Sequence, residues 1–170
     1  MRFIKSFSLV SAVLLLLAAC ESAPKEGGAA SGTGTTTKSA ATTTAQATPG
    51  PRPGSQEELV RDHGDRVFFD FDKSDLTPEA KKTIEGWAGW LKKYPQVTAT
   101  LEGHCDERGT REYNLALGER RSASVKNLLL ANGINAARLK TISYGKERPA
   151  VLGSTEAAWA QNRRSVILVD

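Results

Sequence analysis

The chain has 170 residues, of which 39% are hydrophobic and 25% are charged, and its formal net charge at pH 7 is +4. Loss of the leader described below would remove Arg2 and Lys5 and lower that charge from +4 to +2. A chain so nearly balanced lacks the excess of basic residues that indicates a nucleic-acid-binding protein.

The N-terminus has the pattern of a signal peptide, which we predict over residues 1–19. Arg2 and Lys5 precede an apolar run over residues 7–19 that is too short to remain as a transmembrane helix. The run ends in LAAC, which resembles a bacterial lipobox, so Cys20 is predicted to become the lipidated N-terminus of the mature chain. The alternative is an ordinary signal peptide followed by a chance cysteine.

A low-complexity segment follows the predicted lipidation site. Glu21 stands where an aspartate would indicate the inner membrane, so the lipobox resemblance implies an anchor in the outer membrane, facing the periplasm. Lipidation of Cys20 leaves Cys105 as the only free thiol, which excludes an internal disulfide. Residues 20–56 are rich in Ala, Gly, Ser, Thr and Pro, and cannot bury enough apolar surface to offset the entropy of ordering. We therefore predict a disordered tether over 20–56 and one folded domain over 57–170.

The folded domain opens with a predicted strand and helix. Residues 66–72, RVFFDFD, alternate apolar and charged side chains, a pattern typical of a strand. Thr77 precedes a proline and is predicted to cap a helix that ends before Tyr94-Pro95. Trp87 lies on the apolar stripe of that helix and is predicted to be a core residue, although Trp87 and Trp90 could instead form a sugar-stacking platform.

The remaining pattern predicts an α/β fold. Residues 97–106 alternate between an apolar face that includes Cys105 and a polar face that includes His104 and Asp106. One apolar face indicates a sheet covered by helices on one side only. Further elements are predicted as a helix over 111–132, a strand over 140–144, a helix over 154–162 and a strand over 164–169. The order βαβαβ(α)β predicts a two-layer α/β (α+β) sandwich, with helices on one face of a mixed sheet.

Adjacent His104 and Cys105 raise the possibility of an enzyme, such as an envelope hydrolase. Neighbours on a strand leave opposite faces, so this imidazole cannot activate this thiol. Cys105 is predicted to be buried and His104 to be half-exposed. Two histidines and one free thiol have no zinc-ligand spacing, and the chain has no Gly-rich phosphate loop, so we predict no catalytic residue, metal or cofactor.

A binding socket is a third interpretation of the same stretch. Asp106 ends the predicted strand, while Asn114, Leu117 and Arg121 recur at i, i+3 and i+7 along the edge of the next helix's apolar stripe. An ammonium group could meet Asp106, and a carboxylate could meet the planar fork of Arg121. The spacing also allows Asp106 to cap a turn and Arg121 to belong to a solvated helix face.

Several segments together resemble the OmpA-like domain family, in its branch of peptidoglycan-associated lipoproteins. They are VFFDFDKSDL, EGHCDERGTREYNLALGERR, ISYGKERPAVLG and NRRSVILVD, with the lipobox and polar tether before them. The resemblance implies non-covalent binding of peptidoglycan through the meso-diaminopimelate of its stem peptide, with Asp106 and Arg121 at the key positions. It also implies that the pocket includes Phe71, Asp72, Asn114 and Leu117.

The family resemblance implies partners as well as a ligand. They are TolB and other Tol proteins, and binding of TolB is expected to exclude peptidoglycan. The expected role is to hold outer membrane and cell wall together during cell division, with a monomeric domain.

Overall fold

The structure, a computed structural model, describes residues 50–170. The predicted signal peptide, Cys20 and most of the predicted tether lie outside the described residues. The described helices are α1 Gln56–His63, α2 Pro78–Lys93, α3 Arg111–Ala131 and α4 Glu156–Asn162, and the strands are β1 Arg66–Phe68, β2 Ala99–His104, β3 Leu139–Gly145 and β4 Arg164–Val169. None of these helices combines the length and apolar character needed to cross a membrane.

The four strands form one mixed sheet in the order β1-β4-β2-β3. Strand β4 pairs antiparallel with both β1 and β2, whereas β2 and β3 are parallel. Parallel neighbours need a crossover, and α3 provides it between β2 and β3. The predicted α/β class and mixed sheet are confirmed, and the loop from β2 to α3 lies at the carboxyl end of the parallel pair.

The core lies between the sheet and helices α2 and α3. Thr77 caps α2 as predicted, because its side chain accepts a hydrogen bond from the Ala80 amide at 3.2 Å. Trp87 is fully buried, which confirms its predicted place in the core. Trp90 is buried as well and its indole donates to Glu58 Oε2 at 3.1 Å, so the alternative of a sugar-stacking platform is wrong.

Two glycines bring α3 against the sheet. A Cβ atom on Gly103 would lie 1.9 Å from the carbonyl oxygen of Gly118, and one on Gly118 would lie 2.3 Å from Ser143 Oγ. The backbones of β2 and α3 therefore touch where neither residue carries a side chain. This contact fixes the first half of α3 close to the end of β2.

Two predictions need correction, and one helix was not predicted. The first strand has three residues rather than seven, because the chain turns after Phe69, where Lys73 N donates to Asp70 O at 3.3 Å. Helix α1 precedes it and was not predicted. His104 is not half-exposed but 2% exposed, and its ring stacks on Tyr144 with centroids 5.5 Å apart.

Candidate functional site

A cleft of about 160 Å³, open to solvent, lies between the β2–α3 loop, α3 and the turn after β1. The structure brings all six residues predicted for the site to its walls: Phe71, Asp72, Asp106, Asn114, Leu117 and Arg121. Cys105, Arg108, Gly109 and Tyr113 complete the lining.

The start of α3 shapes one wall of the cleft. Thr110 caps the helix, with its side chain accepting from the Tyr113 amide at 3.2 Å. The side-chain amide of Asn114 donates from Nδ2 to the backbone carbonyls of Arg108 at 2.8 Å and of Thr110 at 3.0 Å. Asn114 therefore closes the loop onto the helix, and Gly109 permits the tight loop by its positive φ of 92°.

Asp106 is 5% exposed and already lies between two guanidinium groups. Arg108 donates from its backbone N and Nε to Oδ1 at 3.1 and 3.2 Å, and from Nη2 to Oδ2 at 2.6 Å. Arg163 Nη1 lies 3.4 Å from Oδ2. Burial acts to raise the pKa of Asp106, but the hydrogen bonds from Arg108 and Arg163 outweigh it and the pKa is lowered. The backbone contact means that Asp106 caps a turn, as the alternative interpretation allowed, while also lining the cleft.

Arg108 is a member of the site that sequence reasoning missed. Its Cζ lies 4.0 Å from the ring centroid of Phe71 and 4.0 Å from that of Trp159, so the guanidinium is held between two aromatic faces. The spacing of an acid and an arginine two residues apart, in Asp106 and Arg108, is the signal in the sequence that could have identified it.

Arg121 is fully buried, so the alternative of a solvated helix face is wrong. Its Nε donates to the Lys73 carbonyl at 2.8 Å and its Nη2 to the Asp70 carbonyl at 3.1 Å. Its Nη1 donates to the His104 carbonyl at 2.8 Å. These three bonds use three of the five guanidinium N–H groups and tie the turn after β1 to the end of β2.

The turn held by Arg121 presents Phe71 and Asp72 at the mouth of the cleft. Phe71 is 57% exposed. Asp72 has a φ of 58°, which is uncommon for a residue other than glycine, and its exposed carboxylate accepts a hydrogen bond from Tyr113 Oη. Asp72 is thus the exposed acid of the cleft, whereas Asp106 is the buried one.

The adjacent His104 and Cys105 do not form a reactive pair. Cys105 Sγ donates to the Asn114 carbonyl at 3.3 Å, and burial raises the pKa of the thiol to about 11. His104 Nε2 instead lies 3.4 Å from Glu102 Oε2, and burial with the nearby Arg164 lowers the imidazole pKa to about 4. At neutral pH the thiol is therefore protonated and the imidazole uncharged. Within residues 50–170, no group of three or more His, Cys, Asp or Glu side chains is arranged to hold a metal ion.

Curated relatives are similar to this chain along most of its length. The peptidoglycan-associated lipoprotein of Haemophilus influenzae is 38% identical over 166 residues, which cover 98% of this chain and 97% of that protein. The peptidoglycan-associated lipoprotein of Agrobacterium fabrum is 49% identical over 117 residues, which cover 69% of this chain and 66% of that protein.

Solved structures and a family match agree with these relatives. The crystal structure of the peptidoglycan-associated lipoprotein from Burkholderia pseudomallei is 38% identical, with a TM-score of 0.62, over 66% of this chain and 99% of that one. The OmpA-like domain of FopA1 from Francisella tularensis has the same fold at 23% identity, with a TM-score of 0.52 over 62% of this chain and 72% of that one. Residues 68–163 match the OmpA family. The chain therefore belongs to the OmpA family, among the peptidoglycan-associated lipoproteins.

Proposed function

We propose that this chain is an outer-membrane lipoprotein whose domain binds peptidoglycan non-covalently, through the meso-diaminopimelate of the stem peptide. The observation that carries the proposal is the cleft, in which acids and arginines line one cavity. The relatives are named for their association with peptidoglycan, which supports peptidoglycan as the ligand of this chain.

The side chain of diaminopimelate ends in an ammonium and a carboxylate, and the cleft offers both complementary charges. Asp72 and Asp106 contribute carboxylates, while Arg108 and Arg121 contribute guanidinium groups. Hydrogen bonds between ionised partners are stronger than neutral ones, and more so where protein excludes water. A stem peptide with lysine ends in an ammonium alone, so it would leave the arginine side of the cleft without a partner.

We also propose that the domain holds its ligand and performs no chemistry on it. A protonated, buried Cys105 and an uncharged, buried His104 supply neither a nucleophile nor an acid–base group to the cleft. Asp106, Asn114, Leu117 and Arg121, with Phe71 and Asp72, are the residues proposed to bind peptidoglycan.

TolB and other Tol proteins are the proposed protein partners. Phe71 and Tyr113 are large, exposed side chains at the mouth of the cleft, where a protein could cover them. A partner that bound there would compete with the ligand, and the two affinities would be linked reciprocally.

Titration with a soluble muropeptide tests the proposed ligand. With isotope-labelled protein, a muropeptide that contains meso-diaminopimelate should shift the amide resonances of Asp72, Asp106 and Gly109. A muropeptide that contains lysine should leave them nearly unchanged at the same concentration. Shifts elsewhere in the domain, with these three amides unmoved, would contradict the assignment of the cleft.

A further inference from the structure

We infer that the start of α1 is a mechanical junction, which carries the pull of the preceding chain into the core and keeps that pull away from the ligand cleft. The junction comprises residues 54–58, and the side chains that hold it are those of Gln56 and Glu58. This role rests on the proposed function, because a chain anchored to a membrane and bound to the wall is under tension. It concerns a part of the fold, α1, that precedes residues 68–163 of the OmpA match.

Glu58 fixes the junction to α2. The residue is 7% exposed, although it carries a carboxylate. Its Oε2 accepts hydrogen bonds from the Gly54 amide at 2.8 Å and from Trp90 Nε1 at 3.1 Å, and its Oε1 accepts from Tyr94 Oη at 2.9 Å. Hydrogen bonds to an ionised acceptor are stronger than neutral ones. Glu58 therefore joins the end of the preceding chain to the last turn of α2 and to its cap.

Gln56 fixes the same junction to the sheet. Its Nε2 donates to the Ile167 carbonyl at 3.2 Å, and its Oε1 accepts from the Val169 amide at 2.8 Å. The ladder between β1 and β4 ends just before these groups, where the Ile167 amide donates to the Asp65 carbonyl at 2.9 Å. A side-chain amide has both a donor and an acceptor, as a strand backbone has. Gln56 thus continues the pairing of β4 beyond the start of β1.

The junction and the ligand cleft lie at opposite ends of β2. Val169, which Gln56 contacts, pairs with Ala99, the first residue of β2. Asp106 of the cleft follows the last residue, His104. The six residues of β2 separate the two ends by about 17 Å, at roughly 3.3 Å for each step. A pull that enters at the junction and is resisted at the cleft therefore acts across the length of the sheet.

Without the junction, the pull would reach the cleft along β1. This strand has three residues, lies at the edge of the sheet and pairs with β4. It leads into the turn that presents Phe71 and Asp72, which Arg121 holds through its hydrogen bonds to backbone carbonyls. Tension along so short a strand would act on that turn. With the junction in place, the tension passes instead into β4 and into the 16 residues of α2.

Helix α1 could instead stabilise the domain only by burial, because Leu59 is fully buried in the core. The two roles differ under load. A helix that only stabilises the fold would change ligand binding equally with and without a pull. A junction changes the lifetime of the bound state when the chain is pulled, and leaves binding unchanged when it is not.

Single-molecule force spectroscopy on the mature chain, residues 20–170, separates these roles. In protein that carries no lipid, the Cys20 thiol is the point of attachment to the probe. The other thiol, of Cys105, is buried and its pKa is raised to about 11, so it does not react under the same conditions. The probe is brought to a surface coated with diaminopimelate-type sacculi and held at constant force.

The variants are Glu58→Gln and Gln56→Ala, each of which weakens one side of the junction. Glu57→Gln is the matched control, because Glu57 is an exposed acid of the same helix. Under load, the lifetime on the sacculi should fall about threefold or more in each variant, as expected for the loss of one hydrogen bond. Without load, calorimetry with a diaminopimelate muropeptide should give the wild-type affinity. Wild-type lifetimes in both variants, or a loss of affinity without load as large as the loss under load, would overturn the inference.

A second pull needs no ligand and separates this inference from the proposed function. With handles at Cys20 and after Asp170, the junction should open first, in a step of about 20 Å, since roughly ten extended residues replace a two-turn helix. The force at that step should be lower in Glu58→Gln and Gln56→Ala than in Glu57→Gln. The same force in all three would overturn the inference, even if the protein binds sacculi. Failure of the wild type to bind sacculi, with the step weakened in the two variants, would overturn the proposed function and support the junction.

Discussion

Arg121 combines two roles that sequence reasoning could not separate. The heptad-like spacing of Asn114, Leu117 and Arg121 correctly places them on one edge of α3, beside the core. It does not reveal that the Arg121 guanidinium donates hydrogen bonds to backbone carbonyls of the turn after β1, which is distant in the sequence.

Arg108 was missed because it lies in a loop, where no periodicity marks a residue as buried or exposed.

Substitution of Arg121 should therefore cost stability as well as binding. Arg121→Ala leaves three carbonyl acceptors without this donor, and the buried one, of His104, costs about 1–3 kcal/mol when it is unsatisfied. We expect a lower free energy of unfolding in urea and no sedimentation with peptidoglycan sacculi. Arg120→Ala, at an exposed position on the same helix, should keep both properties. Full stability and full sedimentation of Arg121→Ala would remove Arg121 from the site.

Asp106→Ala should separate binding from folding more cleanly. The substitution removes the partner of Arg108 and Arg163, but Arg163 keeps its hydrogen bond to Glu156. We expect sedimentation with sacculi to be abolished while circular dichroism remains that of the folded domain. Wild-type sedimentation by this variant would contradict the role of Asp106.

His104 should make folding stability depend on pH. Its pKa in the folded protein is about 4, whereas the ordinary value is 6.5, because burial and the nearby Arg164 disfavour the charged ring. Between these values the unfolded chain binds a proton that the folded chain does not. The contribution of His104 to stability is therefore complete above about pH 6.5 and is lost as the pH falls towards 4.

Thermal unfolding across that pH range checks this prediction. The decrease in melting temperature from pH 7 to pH 4.5 should be smaller in His104→Gln than in the wild type. His63→Gln is the control, because His63 is exposed at the end of α1. If both substitutions leave the wild-type slope unchanged, His104 does not titrate in this way.

Most elements could be predicted from the sequence, because their signals are local. The last strand, 164–169, is confirmed at both ends, and α3 ends one residue earlier than predicted, with Asn132 as its cap.

Helix α1 was missed because its eight residues contain only two large apolar side chains, too few to show a helical stripe. Its cap was visible in the sequence, with Ser55 three residues before Glu58. The burial of His104 could not be predicted, since the ring that stacks on it, Tyr144, comes from β3.

The close contact of α3 and β2 should be intolerant of any side chain. Gly103→Ala would place a methyl group 1.9 Å from a carbonyl oxygen, so α3 must move. Overpacking of this kind lowers the free energy of unfolding by about 1–3 kcal/mol. A displaced α3 would also widen the cleft. We expect a lower melting temperature and weaker sacculus binding. Gly89→Ala, where a Cβ would meet nothing within 4 Å, should leave both nearly unchanged. Tolerance of Gly103→Ala would show that this contact does not set the cleft.

The whole molecule is proposed to link two surfaces, a membrane through Cys20 and the cell wall through the cleft. A tether over residues 20–56 would reach roughly 120 Å when fully extended. This arrangement needs both ends, because a cleft without an anchor would bind the wall and leave the membrane free. The lipid anchor stays a prediction from the lipobox pattern.

Cys20→Ser tests the anchor, because serine has no thiol to lipidate. The variant should leave the outer-membrane fraction and appear among the soluble periplasmic proteins, while its domain still sediments with sacculi. Membrane fractionation followed by immunoblotting measures the distribution. A variant that remained in the outer-membrane fraction would contradict the proposed anchor.

The cleft is proposed to recognise the zwitterionic end of diaminopimelate. Sedimentation of the purified protein with sacculi of the diaminopimelate type and of the lysine type, side by side, tests this proposal. We expect the protein to pellet with diaminopimelate-type sacculi and to stay in the supernatant with lysine-type sacculi. Equal sedimentation with both types, or with neither, would contradict it.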